Sequence, residues 1–395
     1  MQQTLCFLSA KRTPFGANGG SLKDVSATEL GTAAAKAALA ESGVDPTQID
    51  HVIFGNLIPA SGESLYLPRH VGLRAGIPES VPALGVNRLC GTGFQVIVDA
   101  YLQMLAGDSQ VALVGGAENM SQSPYLLKSA RWGMRMGHTQ AVDLLVESLT
   151  DAYAQSPMAI TAENLAEKYG ISREESDAFA LRSQNLYQEA RAKGVFKQEI
   201  SPFPVQDKKG NTTLLENDEH PKAESSVEGL AKLKALFKKD GVVTAGNASG
   251  IVDGAAALVV ATEAEAKERG WKPLARLVSY GIAGCDPRIM GIGPVPAAQI
   301  ALKRAGLNIA DMDLIEVNEA FAPQVLSVEK ELGIPREKLN LSGGAIALGH
   351  PLAASGARIT GHLIYELRRQ HKRLALGSAC IGGGQGIAII IEAFA

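Results

Sequence analysis

Asn87-Arg-Leu-Cys-Gly-Thr-Gly93 and His350-Pro-Leu-Ala-Ala-Ser-Gly356 hold the same place in two copies of one pattern. Shifted by 263 positions without a gap, residues 36–117 fall on residues 299–380. Gly43 meets Gly306, Asp50 meets Asp313, and Val111-Ala-Leu113 meets Leu374-Ala-Leu376. A duplication that keeps its glycines and apolar positions keeps a fold. The reactive residues do not repeat: Cys90 falls on Ala353, His350 on Asn87 and Cys380 on Ala117. Two halves packed face to face, each giving different groups, make a composite site.

Each copy reads as helix, strand, helix, strand. Thr28–Ser42 is an Ala-rich helical stretch closed by Gly43, with Pro46 soon after. Val52–Gly55 and Leu314–Val317 are short apolar runs, and Phe94–Ala106 and Ala357–Arg369 carry apolar residues at helical spacing. Val111–Val114 and Leu374–Leu376 have the continuous apolar character of strands buried on both faces. The alternation predicts an α/β fold with mostly parallel sheets between helical layers.

Past Ala117 and Cys380 the repeat breaks. Gly384-Gln-Gly-Ile-Ala-Ile-Ile-Ile391 finds its match in Val252-Asp-Gly-Ala-Ala-Ala-Leu-Val259 at an offset of only 132 rather than 263, so the first copy carries an insertion of about 131 residues. The insertion holds amphipathic stretches (Thr161–Tyr169, Arg173–Lys193), a charged loop (Asp207–Asn211) and a basic stretch from Lys232 to Lys239. It reads as a lid carried on a rigid scaffold. The expected division is therefore 1–120 plus 248–272 as the first half, 121–247 as the lid, and 273–395 as the second half.

Bulk properties narrow the function. A net charge of −3 argues against general nucleic-acid binding. No apolar run is expected to reach the roughly 18 residues that cross a bilayer, and the N-terminus lacks a signal-peptide layout. Cysteines at 6, 90, 285 and 380 form neither a disulfide framework nor a metal cluster, which suits a reducing compartment. A bacterial cytoplasm is expected, with the mitochondrial matrix as the alternative.

Cys90 stands just before the Phe94–Ala106 helix, where unpaired N–H groups and the helix dipole lower a thiol's pKa. A cysteine is also an ordinary small hydrophobe, but its counterpart Ala353 shows that packing does not require sulfur. His350 closes Gly343-Gly-Ala-Ile-Ala-Leu-Gly-His350 at a turn, where an imidazole can act as a base or polarise a carbonyl. Cys380 opens a Gly-run whose N–H groups can face an oxyanion. Asn318 follows an apolar strand and is either a holder of water or carbonyl or the N-cap of a helix. Met158 and Met290 are soft pocket walls or core filling. Cys6 and Cys285 read as packing residues.

These segments together resemble the motif set of the thiolases: Cys90 with Gly-Thr-Gly93, Asn318-Glu-Ala-Phe321, Gly343 to Pro351, and Cys380-Ile-Gly-Gly-Gly384. Arg12–Gly16, Ala162–Asn164, Thr244–Gly250 and Met290–Pro294 resemble further family blocks, so the likeness runs from Lys11 to Ile391. It implies a duplicated five-layered αβαβα core with a lid, a homodimer or homotetramer, and no cofactor, coenzyme A being a substrate. It also implies that Cys90 accepts the acyl group, His350 activates it, and Cys380 moves the proton at C2 of acetyl-CoA. Asn318, through a water, and His350 would form one oxyanion hole, the N–H groups of Cys90 and Gly382 the other. Ser249, Phe237, Met158, Met290, Ala245 and Phe321 would line the path of the pantetheine arm or substrate. Pro157 replaces a histidine of acetoacetyl-specific relatives, and Ala353-Ala354 replaces glycine. A decarboxylating ketoacyl synthase, which pairs cysteine with two histidines, and a non-catalytic acyl-CoA or lipid carrier are the competing readings.

Overall fold

The computed structural model describes residues 3–206 and 209–394. The first copy contains β1 (Leu5–Arg12), α1 (Ala27–Ser42), β2 (His51–Gly55), β3 (Ala83–Val86), α2 (Thr92–Ala106) and β4 (Val111–Asn119). The inserted segment contributes α3 (Met158–Tyr169) and α4 (Arg173–Ala192), after which β5 (Val252–Thr262) returns to the core. The second copy follows as β6 (Ala275–Gly284), α5 (Pro294–Ala305), β7 (Leu314–Val317), α6 (Ala322–Leu332), α7 (Ser355–Arg369), β8 (Leu374–Ile381) and β9 (Gln385–Ala393). Asp207 and Lys208 of the expected charged loop lie outside the described residues; Phe203–Gln206 and Thr212–Leu215 flank it as an antiparallel pair.

The repeat extends to individual hydrogen bonds. Helix α1 opens on a Ser26–Glu29 capping box and closes at Gly43 with φ +68°, while α5 closes at Gly306 with φ +67°. The Asp50 carboxylate accepts the N–H groups of Gln110 and Val111, and Asp313 accepts those of Arg373 and Leu374.

The sheet is mixed rather than mostly parallel. Its strand order is β7-β8-β9-β6-β1-β5-β4-β2-β3. Among the neighbouring strands described, β7/β8, β2/β3 and β2/β4 run parallel and the other pairs antiparallel. The Gly382–Gly384 turn joins β8 to β9 directly, with φ +80° at Gly383 and +82° at Gly384, and a connection that short forces an antiparallel pair. The halves meet at β1/β6 through just Cys6↔Arg276 and Phe7↔Ala275.

The three largest apolar cores run through five layers, the middle one filling both sides of the central helical layer. One lies between α1 and the outer face of the first half-sheet, a second around α2 and α7 between the half-sheets, and a third under α5 and α6. Residues Leu89–Ala106 are, by length and composition, apolar enough to cross a membrane, contrary to the expectation from sequence. Here that character serves a helix packed inside the middle layer. Gly93 of α2 touches Gly356 of α7, its own counterpart in the repeat. A Cβ on Gly93 would stand 2.5 Å from Ala357 N, and one on Gly356 2.2 Å from Phe94 N. Backbone meets backbone where the copies cross.

A buried ionic cluster fastens the inserted segment to the core. Arg12 of β1 donates to Asp218 and Glu199, His362 of α7 pairs with Glu199 at 3.0 Å, and the Tyr187 hydroxyl donates to Asp218. Burial opposes the charge of Glu199, yet Arg12 and His362 bring its carboxyl down to about 2.

Candidate active site

The N-terminal ends of α2 and α7 converge beside the Gly93–Gly356 contact, each preceded by a 3₁₀ turn, Leu89–Gly91 in one copy and Leu352–Ala354 in the other. Cys90 sits in the first turn. Leu89 before it is held at φ +48°, a conformation costly for a branched residue, with its N–H donated to Asn87 Oδ1. The N–H groups of Gly382 and of Cys90 itself are directed at the Cys90 sulfur.

Against the expectation of a lowered pKa, burial pushes the Cys90 thiol up to about 11. The two N–H groups offset this only in part, and the Glu118 charge adds to it. Desolvation outweighs the helix terminus, so the resting nucleophile is a thiol. Cys380, at the end of β8, is buried, and its thiol is raised by burial and by the proximity of Cys90 and Cys285. Cys285, expected to be mere packing, therefore belongs to the surroundings of Cys380; its N–H donates to Gly384 O at 2.7 Å.

His350 is 5% exposed. Its Nδ1 lies 2.5 Å from Ser355 Oγ, whose own hydroxyl donates to Pro351 O at 3.0 Å. With that proton committed, Ser355 accepts from Nδ1–H, which leaves Nε2 bare and 3.3 Å from Asn318 Nδ2. Burial, and then the Arg358 charge, lower the His350 pKa to about 3. A neutral base results. Asn318 is fully buried, its backbone N–H donates to Ser378 O, and its Oδ1 has no partner among the described residues. The N-cap reading of Asn318 does not hold, because α6 begins at Ala322 with Phe321 in the cap position. An orphaned amide oxygen at this depth calls for a donor such as an ordered water.

A cavity of about 310 Å³ opens on His350. Met158, Ser249, Phe237 and Phe321 line it, together with Pro157, Met120, Ile251 and Leu352. Cys90 belongs to an apolar cluster that includes Met120 and Leu352, and Cys380 to one that includes Met158 and Phe321, so each sulfur shares a cluster with residues of the cavity wall. Two expected wall residues are elsewhere. Met290, 2% exposed, packs on Cys380 beneath the cavity. Ala245 is exposed and faces a separate cleft with His220, Lys222 and Ser226. Spacing along the chain does not tell which side of a turn a residue presents.

Motif spacing does not single out Ser355, Arg358 or Glu118. For Ser355 a signal was present: its counterpart is Thr92, so the repeat keeps a hydroxyl at both helix starts. Thr92 Oγ1 accepts from the backbone N–H of Arg88, while Ser355 accepts from the histidine.

The chain matches two family models, "Thiolase, N-terminal domain" over residues 6–264 and "Thiolase, C-terminal domain" over residues 271–393. It is 54% identical over 389 residues to the human mitochondrial 3-ketoacyl-CoA thiolase, covering 98% of each chain. It is 48% identical over 393 residues to the beta-ketothiolase BktB of Cupriavidus necator, covering 99% of this chain and 100% of that one. The crystal structure of the human mitochondrial enzyme in complex with CoA superposes with a TM-score of 0.97 at 53% identity, covering 100% of this chain and 98% of that chain.

Proposed function

This chain belongs to the thiolase family, and on that premise we propose that Cys90 carries the acyl group, His350 exchanges the proton of its thiol, and Cys380 exchanges the proton at C2 of acetyl-CoA. The protein is an acyltransferase: it cleaves 3-ketoacyl-CoA with CoA to acetyl-CoA and a shortened acyl-CoA, and runs the reverse condensation.

In thiolysis, His350 Nε2 takes the Cys90 proton as sulfur attacks the C3 carbonyl. The oxyanion at C3 is received by the N–H groups of Cys90 and Gly382. Cleavage of the C2–C3 bond leaves an acyl-cysteine and the enolate of acetyl-CoA. The enolate oxygen faces the imidazolium and a water held by Asn318, and the Cys380 thiol protonates C2. The incoming CoA thiol then returns a proton to Cys380 and attacks the acyl-cysteine. As Cys90 leaves, His350 restores its proton. Two neutral sulfurs and a neutral imidazole suit this cycle, because each group changes charge only when substrate arrives.

The observation that carries the reading is the bare Nε2 of His350, aimed from a buried position at Asn318, with both cysteines in apolar clusters that share residues with the wall of the same cavity. Met158, Ser249, Phe237 and Phe321 would hold the pantetheine arm, with 121–247 as the lid of a duplicated core divided at 1–120, 248–272 and 273–395. A homodimeric or homotetrameric assembly in a bacterial cytoplasm completes the proposal.

Cys90→Ala is expected to abolish the acyl-enzyme seen by mass spectrometry. Cys380→Ser is expected to keep acyl transfer onto Cys90 from simple acyl-CoA while stopping both thiolysis and condensation. Full thiolysis by that second variant would overturn the role given to Cys380.

A further inference from the structure

Glu118 is a fully buried carboxylate near the end of β4 that the mechanism above does not use. Among the described residues, none of its hydrogen-bond partners is a cation. Oε1 accepts from Asn56 Nδ2 at 2.9 Å and from Ile58 N at 2.9 Å, and Leu57 N lies 3.2 Å from both oxygens. Oε2 reaches across to the other half and accepts from Ala353 N at 3.1 Å. Ala353 sits in the 3₁₀ turn that follows His350 and Pro351. One carboxylate thus joins the segment after β2 in the first copy to the turn behind the histidine in the second.

The repeat shows what this accomplishes. The counterpart of Ala353 is Cys90, and the same offset carried one position past the end of the repeat sets Ile381 opposite Glu118. The Ile381 side chain lies against Gly91 in the Cys90 turn, where a Cβ on Gly91 would come within 2.5 Å of it. A hydrocarbon accepts no hydrogen bond. Of the two equivalent N–H groups, that of Ala353 is therefore consumed and that of Cys90 is left for the sulfur and for substrate.

We propose that Glu118 is a positioning residue for the thiolase reaction, its carboxylate clasping the 56–58 segment to the Leu352–Ala354 turn and so fixing His350 relative to Cys90. The proposal rests on the thiolase reading above. It requires the ionised form, since a protonated Oε2 would turn a hydrogen toward Ala353 N–H.

Burial raises the Glu118 carboxyl to about 7, with the N–H groups of Ile58, Ala353 and Leu57 opposing the rise. Cys90 is the titratable neighbour that shares its field. The 56–58 segment and the Leu352–Ala354 turn bring no ionisable side chain. Asp253, next to its partner Gly254 on β5, belongs to the opposite face and is engaged by Ser121. His350 remains neutral down to about 3 and Cys90 up to about 11, so neither accounts for a transition near neutrality.

The test is acetylation of Cys90 by acetyl-CoA, a step that needs no external thiol, followed across roughly one pH unit either side of about 7. It is run with wild type and Glu118→Gln, whose amide presents an N–H donor in place of one oxygen. The wild-type rate is expected to fall on the acid side of about 7. The variant is expected to lose roughly 10–100-fold in rate with KM within about twofold, and to lose the acid limb. A variant with the wild-type rate and the wild-type pH profile overturns the proposal. Should Glu118→Gln fail to fold, the wild type decides alone: a pH-independent rate through that window overturns it, and an acid limb supports it. No acetyl adduct on wild-type Cys90 at any pH would instead overturn the thiolase reading on which the proposal stands.

Discussion

Ser355 decides which nitrogen of His350 carries the proton, and so which one faces the reaction. Its hydroxyl is committed to Pro351 O, and it accepts the Nδ1 proton. Ser355→Ala is expected to lower kcat for thiolysis roughly 10–100-fold with little change in fold, read from steady-state kinetics beside a circular dichroism spectrum. His350 also leaves a mark on stability. Its folded pKa of about 3 lies below the ordinary 6.5. Between those values the unfolded chain binds more protons, so the folded state loses stability as pH falls through the window. Urea midpoints measured at several pH values are expected to drop on acidification, and to drop less in His350→Asn. At this scale Cys90, His350 and Cys380 were legible because they break the repeat. Glu118 was not, because a carboxylate near the end of a strand reads as a surface residue until Ala353 N–H is found against it.

Helices α2 and α7 cross at Gly93 and Gly356 with no room for a methyl group. Because the obstacles are backbone atoms, neither helix can relieve a clash by a change of rotamer. Gly93→Ala and Gly356→Ala are each expected to destabilise the fold by about 1–3 kcal/mol or more, measured from denaturant midpoints. The same substitution at Gly43, whose Cβ would meet nothing within 4 Å, costs only backbone strain at φ +68°. The helices themselves were legible from apolar spacing, to within a few residues: Thr28–Ser42 was expected and Ala27–Ser42 is found. Strand direction was not. Apolar runs announce buried strands but carry no sign, and β9 is reversed by the three-glycine turn before it rather than by anything within its own sequence.

For the molecule as a whole, the buried cluster of Arg12, Glu199, Asp218 and His362 links the inserted segment to both copies. Charges this deep are held by one another, and removing one strands the rest. Asp218→Asn is expected to cost about 3–5 kcal/mol, seen as a lowered urea midpoint. The insertion was visible as a jump in the repeat offset, but its attachment was not, since Arg12 and Asp218 are 206 positions apart. The two copies also contribute unequally to the site. Cys90 comes from the first, whereas His350, Asn318, Cys380 and Gly382 all come from the second. Pressure or warmth that lets the copies slip along their glycine seam would thus displace the nucleophile alone, leaving the remaining apparatus aligned with itself. Acylation is then expected to be lost before the fold itself comes apart.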